Sequence, residues 1–162
     1  QPCDNTVKLA LREQVTRRPF VRATTLSWQK NIYCSSLFGG GYESPVNPDD
    51  YVDGRLWLMN GNPVTPGTAL LVYRLVDGDK GAFASIDGYH LSNALRLISH
   101  NAELVLQVGP HWMSADGKVR DSALPVFAVA HHHLASTRYG YSVDAGMPAG
   151  EIWRYIDRRA HV

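Results

Sequence analysis

Residues 69–86 read ALLVYRLVDGDKGAFASI, two apolar runs rich in β-branched and aromatic residues on either side of Asp77-Gly78-Asp79-Lys80-Gly81. A glycine between two aspartates is turn chemistry, so the stretch predicts a β-hairpin of Ala69–Val76 and Ala82–Ile86. Just upstream, Arg55–Asn60 sets Leu56 and Leu58 on one face against Trp57 and Met59 on the other. A strand with two apolar faces is expected to lie centrally, covered on both sides. Asn60-Gly61 predicts a tight turn after it, and Pro63 and Pro66 restrict the backbone between that turn and the hairpin.

Working towards the N-terminus, 39–54 reads as loop, with Gly39-Gly40-Gly41 at its start and Pro45, Pro48 and three aspartates after it. Phe20–Trp28 and Asn31–Phe38 read as extended. Val7, Leu11 and Val15 recur at helical spacing, predicting a helix capped by Asn5 or Thr6 and ended by Pro19. Towards the C-terminus, Ser92–Asn101 has helical spacing with Leu91, Leu95 and Ile98 on one side. Glu103–Val108 alternates as a strand, and Leu124–His132 reads as another. Pro148 suits the first position of a closing helix through Arg158. Helices at the start, middle and end, separated by hairpin-linked strands, predict an α+β fold: one mostly antiparallel sheet with three helices packed on it. At 162 residues the chain fits a single globular domain, 1–162.

The composition is 44% hydrophobic and 19% charged, which excludes a disordered or collagen-like chain. Sixteen basic against fifteen acidic residues leave a net charge of +1. Nucleic acid is not expected as a partner, because neutralising phosphates needs a basic face. The longest apolar run, Ala69–Tyr73, is far short of the roughly 20 residues of a membrane-spanning helix, so a soluble chain with no membrane span is expected.

Cys3 and Cys34 are the only cysteines. An even pair in an exported chain pairs, so a Cys3–Cys34 disulfide and a secreted, extracellular or periplasmic location are expected. Gln1-Pro2 in place of Met suits an end left by signal-peptide removal, and equally a domain cut from a longer protein. The competing readings are two free buried thiols and a reactive Cys34.

Four arrangements carry possible chemistry. Cys34 with His90, oriented by Gln107 or an aspartate, would make a thiol hydrolase or transferase, which needs a thiolate and a base. His131-His132-His133 on a strand would set His131 and His133 on one face, where His111 or an aspartate could complete a divalent-metal site. The loop Asn47–Gly54 clusters three carboxylates that suit calcium, without the late glutamate of an EF-hand loop. Tyr139 and Tyr141, flanking Gly140, invite ligand binding from a loop. No organic cofactor is expected.

The order of Arg22 or Arg74, Ser85 and Glu151, with Met147–Trp153 near the end, is similar to that of ADP-ribosyltransferase toxins. The resemblance would imply a catalytic Glu151. The chain has neither Ser-Thr-Ser nor Glu-x-Glu nor Gln-x-Glu, and Glu151 also reads as a first-turn acid favoured by the helix dipole. Two classes of function remain. One is an exported interaction domain recognising a protein or surface partner through its loops. The other is a small secreted enzyme or toxin domain acting through Cys34 and His90, a histidine-held metal, or Glu151.

Overall fold

The computed structural model describes residues 2–37, 39–40, 43–61, 66–98, 103–136 and 140–148. In chain order these form α1 (Asn5–Arg17), β1 (Val21–Trp28), β2 (Asn31–Ser35), β3 (Ser44–Pro45), a 3-10 turn (Pro48–Asp50), β4 (Leu56–Gly61), β5 (Pro66–Asp77) and β6 (Lys80–Asp87). Beyond them come α2 (Gly88–Ile98), β7 (Glu103–Val108), β8 (His111–Met113), β9 (Val119–Arg120), β10 (Phe127–Ala135) and β11 (Tyr141–Pro148). The α+β class holds, but the expected single sheet is two. One has the strand order β3-β2-β1-β6-β5-β4 and the other β10-β11-β7-β8-β9. The chain divides into two compact units, Gln1–Met59 with Leu70–Asp87 and Asn60–Ala69 with Gly88–Val162.

In the first unit, the expected hairpin is β5 and β6, paired antiparallel with Asp77 opposite Lys80. Gly78 takes φ 60° at the first loop position, a conformation open to glycine without a Cβ clash. β1 lies on the other side of β6. The rows Ala23–Ser85–Val72, Thr25–Phe83–Arg74 and Ser27–Gly81–Val76 therefore share one face. Val46, Tyr51 and Leu70 bury that face together with Val72 and Phe83, and Ile32, Trp57 and Met59 pack around them. Tyr51 meets Trp57 edge-on at 5.4 Å between centroids and Phe83 at 6.1 Å. Burial pushes the Tyr51 hydroxyl up to about 12, the nearby Arg74 offsetting this only in part.

α1 is capped by Asp4, whose Oδ1 accepts from the Val7 N–H at 2.9 Å, so the cap is one residue earlier than expected. Of its stripe only Leu11 is buried. Its attachment to the sheet is polar and covalent as well as apolar. The Thr24 hydroxyl donates to the Leu11 carbonyl at 2.8 Å, and Cys3 is disulfide-bonded to Cys34 on β2, with Cα atoms 5.4 Å apart. β1 turns into β2 through Gln29-Lys30, at φ 50° and 66°. Both central residues of this two-residue turn are left-handed, a conformation that costs roughly 1–2 kcal/mol per residue outside glycine and suits Asn-Gly best.

In the second unit, α2 begins at Gly88, four residues before its expected start. A Cβ there would stand 2.5 Å from that of Ala69, so glycine is required by the close approach of the β5 backbone. Gly88, Ser92 and Leu95 are its buried residues among those described. β7 pairs with β8 on one side and β11 on the other, and β8 carries β9. This sheet is hidden in the sequence because β8, β9 and β11 fall in stretches that read as turn or loop. Asn60-Gly61 is not a turn either: β4 continues through Gly61. Helices α1 and α2 are the two among the described residues. Pro148, expected to open a third, ends β11, and the rest of that expected helix lies outside the described residues.

This packing has two measurable consequences. A Cβ on Gly81 would sit 2.2 Å from the Ser27 Oγ, while its next neighbours, the Ser27 Cβ and a Phe83 ring carbon, stand at 3.5 and 3.7 Å. Gly81→Ala should therefore cost about 1–3 kcal/mol, and the Ser27→Ala/Gly81→Ala pair should recover most of it in denaturant unfolding. The disulfide spans a sequence separation of 31. Cys3→Ser with Cys34→Ser should lower the unfolding free energy by roughly 3–4 kcal/mol on the loop-closure argument.

Candidate functional site

Cys34 is 1% exposed and bonded to Cys3, and no described cysteine is free. The proposed nucleophile is thus spent in a structural bond, and the thiol-hydrolase reading is corrected on that ground. His90 lies exposed on α2 in the second unit, its ring 6.1 Å from that of Tyr89. The two serines after Cys34, which sequence reasoning missed, continue its structural role. The Ser35 hydroxyl accepts from the Leu37 N–H, and the Ser36 hydroxyl accepts from the Thr24 N–H at 3.0 Å. Ser36 returns its own N–H to the Thr24 carbonyl at 2.9 Å. Only the run of two serines behind a cysteine could have signalled this.

The histidine run lies on β10, and two of its three proposed ligands, His133 and His111, stand on opposite faces of the sheet. The β10–β11 register shifts between Val129 and His132. The side chain of His131 lies outside the described residues. His133 is opposite Asp144, which is opposite Val105, and this row shares its face with Gln107 and Ser142. His111 is opposite Val108, three positions along β7 from Val105 and so on the other face. Among the described residues no group of three or more His, Cys, Asp or Glu side chains could hold a metal. What the strand does build is a pair: the His133 Nδ1 stands 2.7 Å from the Oδ1 of Asp144, a carboxylate 1% exposed. The half-exposed imidazole is thereby fixed in orientation by a buried acid.

The remaining candidates separate in the same way. In the acidic loop, the Asn47 side chain accepts from the Asp49 N–H to start the 3-10 turn, and Asp53 stands apart at φ 52°. Arg22 is paired with Asp87 at 2.8 Å, and Ser85 donates to the Ala23 carbonyl at 3.4 Å. These contacts stitch β1 to β6 and leave the toxin-like arrangement without support; Glu151 lies outside the described residues. Tyr139 does too. Tyr141 opens β11 instead of standing in a loop, in one row with Val108 and His111.

A site that sequence reasoning missed lies at the turn end of the first sheet. There a groove of about 240 Å³ is bounded by the two hairpin turns. Its floor is Ser27 and Gly81, its wall Arg74 and Val76, and its rim Gln29, Lys30, Asp79 and Lys80. The Gln29 N–H donates to the Asp79 carbonyl at 2.8 Å, locking one turn to the other. The Lys30 carbonyl accepts from the Val46 N–H at 2.7 Å, tying the rim to the core. Arg74 is held from behind: its Nη1 donates to the Gly54 carbonyl at 2.9 Å, and its guanidinium carbon lies 5.8 Å from the Tyr51 ring centroid. No local sequence pattern points to this groove, because its residues come from two turns about fifty positions apart.

A second polar cluster orders the turn after β8. Asp116 accepts from the Ser114 hydroxyl and the Lys118 N–H, each at 3.0 Å, and from the Arg120 guanidinium. Arg120 lies over the Trp112 ring at 5.0 Å. The Arg120 hydrogen bond, with help from Lys118 and Ser114, holds the Asp116 carboxyl well below the ordinary carboxylate range. A depressed carboxylate contributes stability that is complete above the unfolded value of about 3.9 and is lost as pH falls through the folded one. Asp116→Asn should therefore flatten the acid limb of Tm against pH below about pH 4. An unchanged limb would show that solvent screening cancels this pair.

Similarities to other proteins bear on what this arrangement serves. The crystal structure of the extracellular domain of the putative histidine kinase rpHK1S-Z16 has a similar fold, with a TM-score of 0.61 at 13% sequence identity. The match covers 94% of this chain and 80% of that one. No curated protein matches the sequence. The family described as "CSS motif domain associated with EAL" matches residues 1–159, and Cys34-Ser35-Ser36 carries the three letters of that description. The chain belongs to the family of CSS motif domains associated with EAL.

Proposed function

We propose that this chain is the extracytoplasmic recognition domain of an EAL-associated signalling protein, a single non-catalytic module that reads a ligand or partner through its loops. The observation that carries the reading is the Cys3–Cys34 disulfide, buried at the Cys-Ser-Ser sequence of a family associated with EAL. Disulfides persist in oxidising compartments and are rare where thioredoxin and glutathione keep thiols reduced. The fold likeness to a histidine kinase's extracellular domain supports the same placement. The disulfide, the Ser36–Thr24 bonds and the Asp116 cluster stiffen the scaffold, and hairpin turns project from it, the usual division between rigid frame and recognising loop.

The test is one of compartment. Leu97 is 79% exposed on α2, so Leu97→Cys in the whole gene product offers a thiol to reagents without disturbing the core. A membrane-impermeant maleimide should label that cysteine in intact spheroplasts as fully as in lysed ones. Labelling that requires lysis would place the domain in the cytoplasm and overturn the reading.

A further inference from the structure

We propose that the groove between the β1–β2 and β5–β6 turns is a binding site for a small dianion, a molecule carrying a phosphate group or two carboxylates. This names a ligand class for the recognition reading above and rests on that reading only for its physiological meaning. Two cations, Lys30 and Arg74, line the groove against one carboxylate, Asp79, and Lys80 borders it from the other face of β6, in the row of Trp28 and Asp77. Neither lysine has a side-chain hydrogen bond or ion pair among the described residues, although Asp77 is the register partner of Lys80. Arg74 is committed to the Gly54 carbonyl and the Tyr51 face, so it supplies a fixed positive wall. Lys30 supplies a movable donor, and the Ser27 hydroxyl and Gly81 form a floor kept open by the absence of a side chain at Gly81. A concave site with like charges converging over a few polar groups attracts the opposite charge, and ammoniums serve phosphate and carboxylate as point charges. A groove of about 240 Å³ has room for a small anionic group.

The turn itself is the second line of argument. Gln29 and Lys30 occupy left-handed backbone positions that Asn-Gly would fill with less strain. Strain retained at a groove rim is what selection for the side chains, rather than for the turn, leaves behind. Stability and binding should then move in opposite directions when the turn is relieved.

The experiment titrates the 162-residue chain with inorganic phosphate and, separately, with succinate at constant ionic strength, tracking amide shifts by NMR. Saturable binding of at least one, with the shifts centred on Gln29, Lys30 and Gly81, is the expected result. Lys30→Glu with Lys80→Glu should weaken it tenfold or more while leaving Tm within a few degrees. Gln29→Asn with Lys30→Gly should raise Tm and still weaken binding. The assignment is overturned if neither anion saturates, if chloride at equal ionic strength competes as well as either, or if the turn replacement raises Tm without loss of affinity. Binding by a chain that the maleimide test places in the cytoplasm would sink the recognition reading and keep the anion site.

Discussion

The first unit depends on a single covalent tie. A helix of thirteen residues is marginal by itself, and α1 buries only Leu11 from its apolar stripe, with Leu9 left 64% exposed. Cys3 stands just before the Asp4 cap, so its bond to Cys34 fixes the start of the helix to the end of β2. The tie works through Thr24. That residue's N–H and carbonyl are both taken by Ser36, two positions beyond Cys34, and its hydroxyl binds the Leu11 carbonyl. Helix, β1 and the end of β2 therefore meet at one residue, and the Cys-Ser-Ser sequence is the fastener that brings them there. β1 in turn carries β6, and β6 carries the hairpin whose far end makes the groove.

The parts of this fold that could be read from sequence are those where local pattern and final environment agree. The Asp77–Gly81 turn, the alternation in 103–108 and the helical spacing around Leu91 and Leu95 each ask for one structure and receive it. Leu56–Gly61 is also recognisable as a strand, but it ends the strand order of its sheet instead of lying centrally, and its end is misplaced by one residue because Asn-Gly is a turn signal only when the chain has reason to reverse there. The losses lie where tertiary context outweighs the letters. His111–Met113 and Val119–Arg120 are too short for any periodicity, and they are strands only because β7 presents an edge for them. Tyr141–Pro148 carries a glycine and a proline that argue against a strand, yet it is held between β7 and β10. With β8, β9 and β11 unseen, a second sheet could not be counted.

The same logic accounts for the candidate chemistry. The disulfide is legible because two cysteines leave one pairing. The histidine arrangement is not, because whether His133 and His111 share a face depends on how β7, β8, β10 and β11 pair. His111 is close to the run in sequence, but a step of three along the neighbouring strand puts it on the opposite face. The His133–Asp144 pair needs knowledge of which strand lies beside β10. The groove needs more still, since it is assembled from turns that no window of sequence spans.

Charge use across the chain gives the groove its meaning. Five of the eight arginines among the described residues are consumed by the scaffold: Arg17 by Glu13, Arg22 by Asp87, Arg74 by the Gly54 carbonyl, Arg96 by the Ala115 carbonyl and Arg120 by Asp116. A planar guanidinium with several donors suits such fixed, multi-point roles. Lys30 and Lys80 are used differently, held at the ends of two hairpins that are locked by the Gln29–Asp79 backbone bond, with no side-chain hydrogen bond or ion pair among the described residues. A flexible ammonium on a rigid turn loses little order on meeting an anion and suffers little in its absence. The frame therefore supplies the geometry, and in the proposed anion site Lys30 supplies the response.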